Sequence, residues 1–107
     1  MTKNMAKIGT GYGGDEGRPG DQFARIIATI WRRNSGRYRC KVRSQSGSNQ
    51  GDLEIHDDCE VIGRGDTLDE AADDAKQLAE EAEYDAKMLA EAMSQATDEA
   101  EDFSDEH

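Results

Sequence analysis

From Leu68 to Phe103 the chain runs for 36 residues without a glycine or a proline. Most of these residues are Ala, Leu, Met, Glu, Lys and Gln, all good helix formers, with aspartates among them. Their spacing says more than their composition. Positions 68, 75, 82, 89, 96 and 103 read Leu, Ala, Ala, Leu, Ala, Phe, and positions 72, 79, 86, 93 and 100 read Ala, Ala, Ala, Met, Ala. Every one is apolar on the alternating three–four spacing of a heptad seam. Thr67, with Glu70 three residues on, supplies a capping box, and Asp69 and Glu70 suit the positive end of the helix dipole. The pattern predicts one long acidic C-terminal helix. It would span ~54 Å, against ~25 Å for a strand of seven or eight residues. So either the helix breaks, near Ser94-Gln95, or its second half packs on something else. Alanines let another backbone approach closely but bury little area each, so a second copy docked along the seam is one candidate.

The segment before the helix reads as strands. Phe23–Arg33 is rich in Ile and Thr, and Arg37–Ser44 alternates Tyr38, Cys40 and Val42 against Arg37, Arg39, Lys41 and Arg43. Asn34-Ser35-Gly36 fits a three-residue hairpin loop with glycine in the left-handed position. That loop sets Ile30 opposite Cys40 and Ala28 opposite Val42. One face then holds Ala24, Ile26, Ala28, Ile30, Tyr38, Cys40 and Val42. The other holds Arg25, Ile27, Trp31, Arg33, Arg37, Arg39, Lys41 and Arg43. Residues 44–51 read as a polar loop, and Asp52–Ile62 as a third strand, split or bulged near Asp57-Asp58. Gly63–Asp66 reads as the turn into the helix. Residues 1–20 hold more than half of the chain's glycines and its one proline, and predict a flexible arm. The expected fold is α+β: a single domain over 21–103 with a small antiparallel sheet of three or four strands followed by the helix. Fraying is expected from residue 98 onward, with 104–107 as an acidic tail.

Charge is segregated along the chain. Residues 1–50 carry net +7 and residues 51–107 net −18, which sum to −11. Segregation of this kind marks an interaction protein more often than a uniformly salt-adapted one. Away from the seam point Glu70, Asp73, Asp74, Glu80, Glu81, Glu91 and Asp98. Only Lys76 and Lys87 relieve their mutual repulsion, which weakens a helix. A row of carboxylates along a rod imitates a row of phosphates, and could enter a basic channel built for nucleic acid. Separately, Trp31, Arg33, Arg37, Arg39, Lys41 and Arg43 make a basic, aromatic hairpin face of the kind that binds single strands.

Several classes are set aside. Gly9, Gly11 and Gly14 fit G-x-G-x-x-G, but neither the strand before it nor the helix after it that a dinucleotide site needs is present. His56-Asp57-Asp58-Cys59 cannot turn consecutive strand residues toward one ion, so no metal is expected. No nucleophile–base pair has a supporting context, and no cofactor or catalytic residue is expected. No apolar stretch approaches the ~18 residues of a membrane span. Met1–Ile8 lacks the apolar run of a secretory signal, so a cytoplasmic location with Cys40 and Cys59 reduced is expected.

Two resemblances add to this. Gly65, Asp66, Thr67, Leu68, Glu70 and Ala71 are similar to the turn by which HicB-type antitoxins pass from a three-stranded sheet into a helix, and the β-β-β-α order matches. This resemblance implies a toxin-binding, homodimeric antitoxin. Double-stranded-RNA-binding domains share that order too, but where their helix opens with lysines this one has Asp69, Asp73 and Asp74. In character, the acidic run 66–106 after a short sheet resembles small phage-encoded inhibitors of bacterial defence, the anti-CRISPR proteins. That likeness implies a cofactor-free inhibitor acting in a bacterial host's cytoplasm. The leading expectation is therefore a non-enzymatic inhibitor whose acidic helix mimics nucleic acid. The alternatives are a nucleic-acid-binding or regulatory module using the hairpin face, or a homodimer through the alanine seam.

Overall fold

A computed structural model describes residues 5–15 and 17–104. Four strands, β1 (Met5–Asp15), β2 (Gln22–Arg33), β3 (Tyr38–Asn49) and β4 (Leu53–Gly65), form an antiparallel meander in sequence order. Two helices follow, α1 (Leu68–Glu81) and α2 (Ala86–Ser104). The architecture is α+β.

The central hairpin has the predicted register: Ile30 pairs with Cys40 and Ala28 with Val42. Gly36 takes φ 89°, Arg33 N–H donates to the Arg37 carbonyl at 2.8 Å, and Gly36 N–H to the Arg33 carbonyl at 2.9 Å. β3 continues to Asn49 through residues expected to be loop. The return to β4 is tight: Gln50 N–H donates to Asp52 O, and Gly51 N–H to Asn49 Oδ1. The irregularity expected near Asp57 is present, since Ser46 pairs with Asp57 but the next residue, Gly47, with Ile55.

Both helices lie on one face of the sheet, α1 over β3 and β4, α2 over β1 and β2. Side-chain size follows this placement. Directly beneath the helices the edge strands present glycine. A Cβ on Gly9, Gly11 or Gly13 would overlap the carbonyl oxygen of Ala96, Ala92 or Met88 in α2, and one on Gly63 or Gly65 would overlap the α1 backbone at Ala75 or Ala71. The helices answer with alanine: Ala71, Ala75, Ala79, Ala92, Ala96 and Ala100 are fully buried. In the trough between the helices, above the central strands, sit Ile26, Ile30, Val42, Cys40 and Leu89, the largest fully buried side chains. Backbone against backbone at the flanks, with branched side chains in the middle, lets a chain poor in hydrophobes close a core.

Two expectations are corrected. The segment expected as a flexible arm contains β1, an 11-residue edge strand. Apart from Ile8, which is buried beside a register shift, its inward positions Gly9, Gly11 and Gly13 are glycines because α2 lies against them, which removes the alternating hydrophobic signal of a strand. Met1–Asn4 and Glu16 lie outside the described residues, as does the tail beyond Ser104. The long helix is two helices, and the break falls at 82–85 rather than near Ser94. Glu83 takes φ 64°; its N–H donates to Glu80 O and that of Tyr84 to Ala79 O, both at 3.0 Å. This is the paired bonding of a Schellman motif, which stops a helix. Asp85 then caps α2, its carboxylate accepting from Met88 N–H at 3.0 Å. Of the alanine seam, Ala72, Ala75, Ala79, Ala96 and Ala100 are buried within the chain, while Ala82 and Ala86 are exposed.

Candidate functional site

Because the helices take one face, no described element covers the other face of the sheet. Antiparallel pairing places Trp31, Arg39, Arg64, Lys41, Ile62, Arg43 and Glu60 on it, in cross-strand rows. The structure thus brings together Trp31, Arg33, Arg39, Lys41 and Arg43 from the predicted basic set. Arg37 stands apart in the hairpin turn, its Nε 3.4 Å from Asp66 Oδ1. Arg64 belongs to the same face, although it was read from the sequence as part of a turn. The signal for it was available: continuing the strand period through Gly63 and Gly65 puts Arg64 beside Ile62. Tyr12 and Ile55, 58% and 44% exposed, also lie on this face, Tyr12 opposite Ile27 and Ile55 opposite Gly47.

The face is not uniform along the strands. At the far end Phe23 and Gln45 are buried, with Arg25 over the Phe23 ring and its Nε bonded to Gln45 Oε1 at 2.9 Å. In the middle, Arg43 Nη2 donates to Glu60 Oε1 at 2.9 Å, and Arg43 Nε lies 3.4 Å from Asp58. The Glu60 hydrogen bond, then the Asp58 charge, push the Arg43 pKa above its ordinary value. Towards the Trp31 end this neutralisation stops. Lys41 Nζ lies 5.2 Å from the Trp31 ring centroid, a cation–π contact that holds the indole and leaves the ammonium charged. Trp31, Arg39, Lys41 and Ile62 line a shallow pocket of about 160 Å³. Beside it Arg33, Arg39 and Arg64 gather without a carboxylate in ion-pair range among the described residues. Desolvation, then the fields of Arg33 and Arg64, lower the pKa of Arg39.

The acidic candidates lie on the helix layer, on the opposite side of the molecule. Asp73, Glu80, Glu81, Glu91 and Asp98 are exposed. Glu70 and Asp74 are engaged inside the chain: Glu70 Oε1 accepts from Asp66 N–H at 2.9 Å and Asp74 Oδ2 from Arg64 N–H at 3.0 Å. These two carboxylates help fasten the β4–α1 connection.

The remaining chemistry is sparse. Cys40 is buried and Cys59 exposed. Burial pushes the Cys40 thiol up to about 12, which makes it a poor nucleophile. Among the described residues no cluster of His, Cys, Asp or Glu could hold a metal ion. No described helix is long and apolar enough to cross a membrane. No family model, curated protein or solved structure matches the chain.

Proposed function

We propose that the protein acts by binding, and that its uncovered sheet face takes single-stranded nucleic acid at the Trp31 end. The observation that carries this reading is the placement of both helices on one side, which leaves Trp31, Arg39 and Lys41 partly exposed on the other. Stacking on Trp31 and phosphate contacts from Lys41 and Arg39 are the two interactions such modules combine. Tyr12 offers a second ring about 13 Å away, four residues along the sheet, a step of about two nucleotides. The net charge of −11 does not oppose this at short range. The outer carboxylates are separated from the face by the sheet and the helix layer, more than the ~8 Å over which physiological salt screens.

Trp31 is the chain's single tryptophan, so its emission reports on the site. Titration with a short oligo-dT or oligo-U at low salt should quench it. Affinity should fall with salt, with a log–log slope of about −1.4 for the two phosphate contacts. Trp31→Ala, followed by anisotropy of a labelled strand, should weaken binding at least ~5-fold, the low end of one stacked base. Unchanged emission and anisotropy at tens of micromolar oligonucleotide would overturn the reading.

A second reading rests on the acidic helix layer. Asp73, Glu80, Glu81, Glu91 and Asp98 could block a basic groove, as an anti-CRISPR-like inhibitor would; what favours it is their exposure on a side of their own. Replacing Asp73, Glu80, Glu81 and Glu91 by Ser should then weaken binding to an arginine-rich peptide. Equal affinity counts against it.

A further inference from the structure

Where β2, β3 and β4 end together near the start of α1, Arg33, Arg37, Tyr38, Arg39, Arg64, Asp66 and Glu70 line a cleft of about 300 Å³. Its positive charge is unusually concentrated. Arg39 and Arg64 sit directly opposite each other across the β3–β4 ladder, and like charges so placed destabilise a sheet. Arg33 comes from the neighbouring strand end, and its Nε is buried with no hydrogen-bond partner among the described residues. A buried guanidinium donor left unpaired carries a penalty of its own. Each nearby carboxylate already has a partner: Asp66 takes Arg37, and Glu70 takes the Asp66 N–H. Four arginines and two carboxylates thus line one space, and Arg33, Arg39 and Arg64 have no ion-pair partner among the described residues.

We propose that this cleft is a site for a phosphate monoester. Guanidinium groups match phosphate oxygens with paired N–H donors, and three of them suit a dianion better than the single charge of a diester. A ligand of that charge would relieve the Arg39–Arg64 repulsion. The walls also favour a chain end over a passing backbone. Asp66 and Glu70 close the side toward α1, and the next phosphodiester of a continuing strand would meet two carboxylates there. Resting on the sheet-face reading above, the ligand is the terminal phosphate of the strand whose last base stacks on Trp31.

The test uses the full chain and two kinds of probe. In the first arm, end-labelled oligonucleotides carrying a 5′-phosphate, a 3′-phosphate or hydroxyls at the free end are compared by anisotropy. A phosphorylated end should bind about 10-fold more tightly, equivalent to about 1.4 kcal/mol. Arg64→Gln and Arg33→Gln should each bring that ratio close to 1. In the second arm, inorganic phosphate is titrated while the arginine Nε–H resonances are followed, with chloride at equal ionic strength as control. The Arg33 signal should shift with phosphate and not with chloride. Strands that bind with no preference for a phosphorylated end overturn the terminal-phosphate assignment and leave the sheet-face reading standing. If no strand binds but phosphate moves Arg33, the sheet-face reading fails and the cleft is supported as a phosphate site. No preference together with no phosphate-specific shift overturns the cleft altogether.

Discussion

Glu83 holds a left-handed conformation, φ 64°, at a position where a side chain is a handicap and glycine is the usual occupant. The residue gives the turn nothing that the backbone does not, since the bonds closing it are N–H to carbonyl. Glu83→Gly should therefore raise unfolding stability by about 1 kcal/mol, read as a higher urea midpoint with unchanged slope. A loss would mean that the Glu83 side chain makes a contact worth more than the strain. At Cys40 the folded state holds its proton more tightly than the unfolded chain, 12 against 9.0. The resulting stability is complete below about pH 9 and falls as pH rises toward about 12. Tyr84, whose pKa is raised by burial and then by nearby Cys59, Glu60 and Asp58, acts in the same direction above its ordinary value of 10.0. Urea midpoints from pH 8.5 upward should decline, and Cys40→Val should show a shallower decline. Identical slopes would remove Cys40 from the account.

The elements are held by a fit of small against small, and this is where substitutions should bite hardest. A methyl group at Gly11 meets the Ala92 carbonyl, and one at Gly63 meets the backbone of Ala75. Neither neighbour is a flexible side chain that could swing aside. Gly11→Ala and Gly63→Ala should each cost about 3 kcal/mol or more, at the upper end for overpacked cores. Gly20→Ala is a useful contrast, since nothing lies within 4 Å of its added carbon, though its φ of 97° adds backbone strain. If the Gly11 and Gly63 variants melt with the parent chain, the helices do not ride on the edge strands. The same fit explains what could be read in the sequence. The β2–β3 register was legible because its inward residues are apolar and the loop between them is diagnostic. The Thr67–Glu70 box marked the start of α1, and Thr67 Oγ1 indeed accepts from Glu70 N–H at 3.1 Å. β1 was not legible, because glycines beneath α2 imitate a linker. The helix break was hidden for two reasons: Glu83 does not announce a left-handed residue, and the heptad phase passes unchanged through the turn. Ala82 and Ala86, two of its apolar positions, are exposed. The basic patch was legible strand by strand, while Arg64 and the uncovered face required knowing how far β4 extends and which side the helices occupy.

On the scale of the whole molecule, charge is divided by side. Carboxylates crowd the helix layer, where residues 68–103 hold 13 acids against Lys76 and Lys87, and cations gather at one end of the bare sheet face. The repulsion within the helix layer is not relieved by that distant patch, so salt should stabilise the fold. Raising sodium chloride from about 20 mM to about 0.5 M should lift the thermal midpoint by a few degrees. A fall would show that attraction between the two sides outweighs repulsion within one. The pairing of alternate glycines on the outer strands with alanines at every fourth helical position has a consequence for kinship as well. Other chains built this way would share little greasy pattern with this one. They would be known by where they can tolerate no bulk: a rhythm of twos in the first and fourth strands, answered by a rhythm of fours in the helices that lie on them.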